Sequence, residues 1–469
     1  MHSIMKPSDL SGTRVTVMGL GLHGGGLESA RYLCRHGARV TVTDTRGEEV
    51  LRPAIDQLDG LPIRYVLGRH EERDFATADI VIKNPAVPRT APMLAASRVI
   101  ETDISLFLRL STNPLIAITG TKGKSTAVSA LHAVLKGSNP AARLGGNITV
   151  SPLSFLDLLE ADAPVVLELS SFQLGDLNLV DGGKGAQLLR PMIAAVTNIL
   201  PDHQNYYHSM ERYVADKRII YQGQSAEQFT LCNYDQPEGG QFARESAARV
   251  RFFSRTRLPT GTLGAYLAEG SGWVRLEEGE YELVPADSHM QGDHARINLL
   301  IAGLASVLFG IPAAQTAEVL ASFAGVEHRM ETFINQNGLR FVNDSAATIP
   351  EATAAAVASL SGRVLLIAGG TDKELLFEGF PGAVSSVAEL YLLAGSATDK
   401  LIPMLRAEDI RFNGPYDSLE ACLAAVMDRC TPDTTVLFSP GCASFGMFLN
   451  EFDRGRRFKE LAIELLRSR

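Results

Sequence analysis

A turn rich in glycine and lysine at residues 120–126 constrains the fold of this chain more than any other feature of its sequence. The turn reads Gly-Thr-Lys-Gly-Lys-Ser-Thr, follows the apolar run Ile116–Thr119 and precedes a stretch with helical periodicity. Backbone N–H groups at a helix N-terminus, a glycine turn and a lysine together form a cradle for phosphate oxygens, and the hydroxyl that follows can hold Mg²⁺. Fewer residues separate Gly120 from Gly123 than in the common phosphate-binding loop, so a simple capped glycine turn is the alternative. We interpret the segment as a nucleoside triphosphate site in an α/β domain.

Size, charge and cysteine content limit the class of protein. At 469 residues the chain exceeds the roughly 250–300 residues at which a single core stops growing, so two or three domains are expected. The 44 Lys and Arg against 53 Asp and Glu give a net charge of −9, which argues against nonspecific binding to nucleic acid. Five cysteines without a C-x-x-C pair fit neither a disulfide framework nor a zinc site. Because no signal peptide pattern or membrane-length apolar run is evident, we expect a cytoplasmic protein without membrane insertion.

Short β-branched runs alternate with helical stretches in three successive series, which predicts an α/β protein with three domains. We place a Rossmann-like domain at 1–112, a central domain of the phosphate-loop type at 113–326 and a second Rossmann-like domain at 327–469. Within the central domain, residues 225–290 look irregular, because glycines interrupt short polar strands such as Trp273–Leu276. We expect this part to form a β-rich annex.

A second glycine turn lies near the N-terminus. Gly19-Leu20-Gly21-Leu22-His23-Gly24 joins the predicted strand Arg14–Met18 to the predicted helix Leu27–His36, and Asp44 follows 20 residues after the turn. This is the Rossmann fingerprint with the acidic residue that meets a ribose. The pattern indicates an anion-binding βαβ unit and leaves open NAD(P) or another nucleotide diphosphate. An NAD-dependent oxidoreductase is therefore one alternative function, and a non-catalytic module switched by a nucleotide is another.

Two polar residues follow apolar strands of the central domain. Glu168 ends the run Val165–Leu167, and His203 comes soon after the run Ala194–Asn198. Ligands of doubly wound sheets bind beyond the carboxyl ends of the strands, where a carboxylate beside a phosphate loop suits a metal. We expect Glu168 to ligate Mg²⁺, with His203 as a third group of the same site.

Polar loops also follow strands of the last domain. They begin at Asn343, Gly369 and Ser439. Because strand ends at one sheet edge converge, these loops are expected to build one shared polar site.

Taken together, these motifs resemble those of the Mur ligases of peptidoglycan synthesis over all three domains. Folylpolyglutamate synthases share the spelling of residues 120–126 but lack a uridine-nucleotide domain before it. The turn Gly19–Gly24 and the string Asp44-Thr45-Arg46 therefore favour the Mur family. The string Leu167-Glu168-Leu169-Ser170-Ser171-Phe172-Gln173-Leu174 is most similar to the members that add glutamate to UDP-N-acetylmuramoyl-L-alanine.

The resemblance implies a role for each matching position. The uridine diphosphate of the substrate would lie against Leu22, His23, Asp44, Thr45 and Arg46, and its muramoyl part against Asn147, Ser170, Gln173 and His203. ATP would be held by Gly120, Thr121, Lys122, Gly123, Lys124, Ser125, Thr126, Asn298, Arg329 and Asp344. Mg²⁺ would be ligated by Ser125, Glu168 and His203, and the catalytic group would be Lys124, Glu168, His203 and Lys217, the last matching a lysine that is carbamoylated in the family. The incoming glutamate would meet Thr348, Lys373 and Ser444.

Three positions depart from the family pattern. Ala346 and Ala295 stand where lysine and asparagine are usual, and Glu451 stands where an aromatic residue would lie against the amino acid. These differences concern the acceptor more than the reaction class. The preference for D- or L-glutamate therefore stays open, as does a ligase similar to folylpolyglutamate synthase.

The reaction that the resemblance implies is ATP-dependent amide formation. A carboxylate is a poor electrophile, so ATP would first convert the alanyl carboxylate into an acyl phosphate, with Mg²⁺ and lysine lowering the repulsion between the two anions. The glutamate amine would then attack, giving an amide, ADP and phosphate. We expect a monomer whose third domain closes over the central site and excludes water from the intermediate.

Overall fold

The computed structural model describes residues 6–21, 24–148, 150–290, 292–372, 377–444 and 446–467. Over these residues the strands form three sheets, of five, nine and six strands. The chain divides into two compact units, Met1–Phe323, which contains the first two sheets, and Ala324–Arg469, which contains the third. The predicted α/β class with three sheet-based domains is confirmed.

The first sheet is a small doubly wound one. Its elements are β1 Arg14–Met18, α1 Gly25–Arg35, β2 Arg39–Asp44, α2 Glu48–Ile55, β3 Ile63–Leu67, α3 Glu72–Ala76, β4 Ile80–Lys83, β5 Ile100–Glu101 and α4 Asp103–Leu110. All strands are parallel, in the order β3-β2-β1-β4-β5. A Cβ at Gly26 would collide with the carbonyl oxygen of Gly19, so only glycine allows the first turn of α1 to pack this closely against the loop that precedes it.

The second sheet carries the phosphate-loop domain. Its strands are β6 Leu115–Thr119, β7 Arg143–Gly146, β8 Val165–Glu168, β9 Ile193–Val196, β10 Phe229–Asn233, β11 Arg249–Ser254, β12 Gly264–Ala268, β13 Ser271–Leu276 and β14 Gly279–Val284. Its helices are α5 Lys124–Ser138, α6 Ser171–Asp176, α7 Gln204–Tyr207, α8 Met210–Gln222, α9 Pro237–Glu245, α10 Asp293–Leu308 and α11 Ala313–Ser322. The order is β14-β13-β12-β11-β10-β9-β6-β8-β7, parallel from β7 to β12 and antiparallel from β12 to β14.

Apolar strands at the centre of this sheet are buried on both faces. Ile116 and Ile118 of β6 pack in one hydrophobic cluster with α5 and α10, whereas Leu115 and Ala117 pack in another with α8. Helices on both faces are the reason that β6, β8 and β9 read as continuous apolar runs. The buried centre fixes the strand ends that carry the polar residues.

The predicted β-rich character of residues 225–290 is confirmed, including the strand at Trp273–Leu276, but the segment is regular instead of irregular. This segment supplies two parallel strands, a helix and an antiparallel extension, all within the central sheet. Gly270 lies in the turn between β12 and β13, as expected of a glycine that interrupts strands. Other glycines allow close approach: a Cβ at Gly264 would collide with the carbonyl oxygen of Phe252, and one at Gly239 with that of Asn233. Trp273, on β13, pairs across the ladder with Tyr266 of β12.

The third sheet belongs to the unit Ala324–Arg469. Its elements are β15 Glu331–Gln336, β16 Leu339–Asn343, α12 Pro350–Ala358, β17 Arg363–Gly369, α13 Phe380–Val384, β18 Glu389–Leu393, α14 Ser396–Ala407, β19 Asn413–Tyr416, α15 Leu419–Met427, β20 Thr434–Phe438 and α16 Glu451–Arg467. The order is β15-β16-β20-β17-β18-β19, with only the β15–β16 pair antiparallel. Over the part of the chain that is described, no helix is both long and apolar enough to cross a membrane.

Candidate functional site

The turn after β6 is closely enclosed by its neighbours. Gly123, at the N-cap of α5, has φ +82°, a conformation that favours glycine, and a Cβ there would collide with Oδ1 of Asn298. A Cβ at Gly120 would likewise collide with Oγ1 of Thr197. Asn298, predicted to meet the nucleotide, therefore lies against the turn. The glycines are required here because of close packing as well as backbone freedom.

Two residues at the end of β9 hold the middle of the turn. Oδ1 of Asn198 accepts the N–H of Lys122 at 2.9 Å, and its Nδ2 donates to the Lys122 carbonyl at 3.0 Å. Oγ1 of Thr197 donates to the same carbonyl at 2.6 Å. These contacts hold the N–H and the carbonyl of Lys122 in place. Sequence reasoning gave Thr197 and Asn198 no role, although their place at a strand end was a usable signal.

Lys124 and Lys217 meet at one carbonyl oxygen. Nζ of Lys124 donates to the carbonyls of Gly120 and Thr121 at 2.9 and 2.8 Å, and Nζ of Lys217 donates to that of Gly120 at 2.8 Å. Lys217 is 1% exposed. Burial, reinforced by the charge of Lys124, lowers the pKa of Lys217 to about 7. A large share of its amine is therefore neutral near pH 7.

Glu168 presents one buried oxygen that lacks a hydrogen bond. Its Oε1 accepts from Nδ2 of Asn147 at 2.9 Å, but no donor among the described residues reaches Oε2, and the side chain is 2% exposed. Unsatisfied buried carboxylate oxygens are rare, and hard divalent cations take such oxygens as ligands. The residues at this end of β8 therefore fit the Mg²⁺ that the sequence predicts.

His203 lies in the same electrostatic neighbourhood. Its backbone has φ +50°, and its ring packs against Phe172 with centroids 4.9 Å apart. Burial lowers the pKa of His203, and the charges of Lys217 and Lys124 add to this effect. A neutral imidazole has a nitrogen lone pair with which it can ligate a metal.

A cleft of about 330 Å³ opens beside these residues. Pro85, Ala86 and Pro88, in the loop after β4, form one side of it. The central sheet supplies the other side, with Asn147, Ser170, Phe172, His203 and Tyr206. The structure thus brings three of the four predicted muramoyl contacts into one cleft.

The fourth of these residues, Gln173, has a local role. Its Oε1 accepts the N–H of Ser170 at 3.0 Å, and Oγ of Ser170 accepts the N–H of Gln173 at 3.2 Å. This reciprocal pair is a capping box that starts α6. It fixes Ser170 at the edge of the cleft.

The predicted uridine site is partly described. Leu22 and His23 lie outside the described residues. Asp44, at the end of β2, accepts the N–H of Leu20 at 3.0 Å and two guanidinium bonds from Arg46 at 3.0 and 2.8 Å. Burial opposes ionisation of Asp44, but the Arg46 bonds lower its pKa on balance. The carboxylate therefore organises the glycine turn, while Thr45 beside it is exposed.

The predicted convergence of loops in the unit Ala324–Arg469 is confirmed. The N–H of Gly441 donates to the Ala347 carbonyl at 3.0 Å, and Thr371 and Ala443 exchange backbone hydrogen bonds at 3.1 and 3.0 Å. Ser444 is buried and Thr348 half-buried in these loops, whereas Lys373 lies outside the described residues.

The nucleotide residues predicted for this unit differ in exposure. Asp344 accepts from Oγ of Ser439 at 2.7 Å and from the N–H of Met330 at 3.1 Å. Burial nevertheless raises the pKa of Asp344 to about 6. Arg329 is exposed, and its charge acts on Asp344.

Arg454 is a residue whose role sequence reasoning missed. Its guanidinium is 1% exposed and donates to Oγ and the carbonyl of Ser345 at 3.0 and 2.7 Å, and to the carbonyl of Cys442 at 3.0 Å. Burial lowers its pKa to about 10. Arg454 thereby joins the loop after β16 to the loop after β20. The contacts with Ser345 span 109 residues, so local pattern could not reveal them.

Family models match each of the three sheet regions. Residues 13–105 match the Mur ligase MurD-like N-terminal domain, 118–306 the Mur ligase middle domain and 328–442 the Mur ligase glutamate ligase domain. The chain belongs to the Mur ligase family, and it is an ATP-dependent acid–amino-acid ligase.

Two curated relatives that match nearly the whole chain carry the same name. UDP-N-acetylmuramoylalanine–D-glutamate ligase of Treponema pallidum is 41% identical, over 96% of this chain and 97% of that one. The ligase of the same name from Roseiflexus is 39% identical, over 96% and 98%. The predicted family is therefore confirmed.

Solved structures show the same fold at low identity. UDP-N-acetylmuramate-alanine ligase of Thermotoga maritima has a TM-score of 0.56 and 18% identity, over 96% of this chain and 99% of that one. MurF ligase of the same organism, in complex with ADP, has a TM-score of 0.52 and 15% identity, over 99% and 97%.

Proposed function

We propose that this chain joins D-glutamate to the alanyl carboxylate of UDP-N-acetylmuramoyl-L-alanine and converts ATP to ADP and phosphate. The observation that carries the proposal is the pair of lysine side-chain nitrogens that donate to the Gly120 carbonyl; one of them, that of Lys217, interacts electrostatically with Glu168, whose Oε2 has no hydrogen-bond donor among the described residues. The names of the curated relatives supply the substrates. We place the reaction in the cytoplasm and in a monomer.

Activation of the substrate carboxylate is the step that needs this cluster. The carboxylate oxygen attacks the γ-phosphorus, the bond to the ADP oxygen breaks, and an acyl phosphate forms. Lys124, at the N-terminus of α5, would neutralise the phosphate oxygens. Mg²⁺, held by Glu168, His203 and Ser125, would supply further positive charge between the two anions. The glutamate amine then attacks the acyl carbon, and phosphate leaves.

The cleft supports a muramoyl substrate over a folate. It is formed partly by the loop after β4, so the domain matched by the MurD-like model contributes directly to the cleft. Folylpolyglutamate synthases lack such a domain. An NAD-dependent oxidoreductase is disfavoured because the family's reaction uses the central phosphate loop.

The test of the substrate assignment is a chiral assay. Purified full-length protein receives UDP-N-acetylmuramoyl-L-alanine, ATP and Mg²⁺ with D-glutamate or L-glutamate, and the product is weighed by mass spectrometry. We expect amide product with D-glutamate at a rate at least about tenfold above that with L-glutamate, a difference of one transition-state contact. Product with L-glutamate alone would establish the alternative acceptor, and absence of product with either enantiomer would overturn the muramoyl assignment.

We further propose that Lys217 is carbamoylated, as in the family it resembles. Attack on CO₂ requires the neutral amine, and a pKa of about 7 leaves about half of it neutral at that pH, far more than for an ordinary lysine. Protonation below pH 7 removes the nucleophile. At constant dissolved CO₂, both the carbamoylated fraction and the rate should therefore fall as the pH is lowered through about 7.

The matching variant is Lys217→Arg, which keeps a positive charge but has no amine that can be carbamoylated. We expect it to lose about 100-fold or more in kcat. Native mass spectrometry of wild-type protein, with and without added bicarbonate, should show one added carbon dioxide only with bicarbonate. An active arginine variant would show that the ammonium itself is the working form.

A further inference from the structure

Arg89 connects the first sheet region to the helix that carries Lys217. It follows the loop Pro85–Pro88, which forms one side of the cleft. Its NH1 donates to Oδ1 of Asp216 at 3.2 Å, and its NH2 forms an ion pair with Oδ2 of the same carboxylate. The pair is bidentate and only partly exposed, at 23% for the arginine side chain and 8% for the aspartate. Such a fork fixes both distance and orientation.

Asp216 is the residue immediately before Lys217 in α8. Its Oδ2 also accepts from the hydroxyl of Tyr207 at 2.9 Å. Neighbouring residues of a helix point in different directions, so Asp216 and Lys217 lie on different faces of α8. A bond that fixes Asp216 therefore sets the rotation and axial position of the helix, and with them the place of the Lys217 amine at the Gly120 carbonyl.

The same guanidinium reaches the aromatic residues around His203. Nε of Arg89 donates to the hydroxyl of Tyr206 at 3.4 Å. The ring of Tyr206 packs against Phe172 at 4.8 Å, and Phe172 packs against His203 at 4.9 Å. Arg89 thus contacts Asp216, which is next to Lys217 in α8, and Tyr206, which packs against the aromatic ring beside His203. Lys217 and His203 are both predicted to act in the reaction.

Gly175 leaves the space that this arrangement needs. NH1 of Arg89 donates to the Gly175 carbonyl at 3.2 Å. A Cβ at this position would lie 2.7 Å from NH1 and would collide with Oδ2 of Asp216. Asp176 follows directly, and its carboxylate lies 4.0 Å from Nε of Arg89 and 2.6 Å from Nζ of Lys83. Loss of Arg89 would remove the cation that is paired with the Asp216 carboxylate. A buried carboxylate without its paired cation destabilises the folded protein.

We propose that Arg89 is a positioning residue of the ligation reaction, which fastens the substrate-binding loop after β4 to α8 through Asp216 and so aligns Lys217 and His203 with the substrate. The inference rests on the proposed function. It adds a residue outside the phosphate loop and outside the strand ends of the central sheet. A misplacement of about 1 Å at such a support costs roughly 100-fold in rate.

The experiment compares Arg89→Lys, Asp216→Asn and the double variant with a matched control. Arg14→Lys alters another bidentate pair of the first sheet region, with Asp79 at 2.7 and 3.1 Å, which is exposed and does not line the cleft. In the full-length protein we expect Arg89→Lys to lower kcat/KM for UDP-N-acetylmuramoyl-L-alanine by about 10- to 100-fold, while KM for ATP changes less than about twofold. The double variant should lose no more than the larger single loss, and Arg14→Lys should match wild type.

Stability is followed in parallel by calorimetry, so that a folding defect is recognised. Unaltered kinetics in Arg89→Lys, or additive losses in the double variant, would overturn the positioning role. Equal losses for ATP and the muramoyl substrate with a lowered melting temperature would also overturn it, since they indicate a structural role only. Absence of turnover by wild-type protein would instead overturn the proposed function on which the inference rests.

Discussion

Alanine in place of Lys124 is expected to lower the rate of ADP formation by about a thousandfold. The ammonium lies at the start of α5, where the helix N-terminus and the turn form the proposed anion site, so the alanine variant lacks the positive charge that would neutralise the phosphate oxygens. The measurement is coupled ADP release with the muramoyl substrate and D-glutamate both present. Binding of the uridine substrate should persist, because its predicted contacts lie outside the turn.

The matched control for this variant is Lys136→Ala, in the last turn of the same helix. It removes the same charge at the opposite end and should leave the rate unchanged. A second consequence concerns Lys217: the charge of Lys124 lowers the pKa of Lys217, so its removal should raise that pKa and reduce carbamoylation at neutral pH. Turnover by Lys124→Ala at more than about a tenth of the wild-type rate would refute the assignment of the turn.

Glutamine in place of Glu168 is the second variant with a large expected effect. The change keeps the shape of the side chain but removes the charge, so we expect about a 100- to 1,000-fold loss of kcat and weaker activation by Mg²⁺. The measurement is the Mg²⁺ dependence of the rate. Because Oε2 has no hydrogen-bond donor among the described residues, removing the buried charge should not lower the free energy of unfolding.

Glu160→Gln provides the comparison for Glu168, because its side chain is exposed and it lies in the segment before β8. It should behave as wild type in rate and in Mg²⁺ dependence. If Glu168→Gln instead unfolded at markedly lower denaturant concentration while its Mg²⁺ response stayed normal, Oε2 would be a structural group and the metal assignment would fail.

The local sequence pattern was sufficient to predict the positions of those candidate site residues that lie at the junction of a strand and a helix or at the end of a strand. The segment 120–126 follows β6 and includes the first residues of α5, and Glu168 ends a buried strand, as predicted. Both positions follow from one rule: in a parallel sheet, bound molecules lie beyond the carboxyl ends of the strands. The roles of these residues toward ATP and Mg²⁺ stay predictions.

Long-range contacts explain most of what the sequence could not reveal. Arg89 and Asp216 are 127 residues apart, and neither belongs to a spaced motif. The low pKa of Lys217 depends on burial and on a second lysine far away in the chain. The regularity of residues 225–290 could not be predicted, because glycines suggest loops. Gly264 and Gly239 instead lie within a strand and a helix, where they allow close contact with neighbouring carbonyl groups.

Trp273 on β13 makes the two compact units optically distinguishable. It is the single tryptophan of the chain and belongs to the unit Met1–Phe323. Its fluorescence therefore reports unfolding of that unit alone, while circular dichroism records the helices of both. Different midpoints from the two signals would show that the units melt independently, and coincident midpoints would show one cooperative transition.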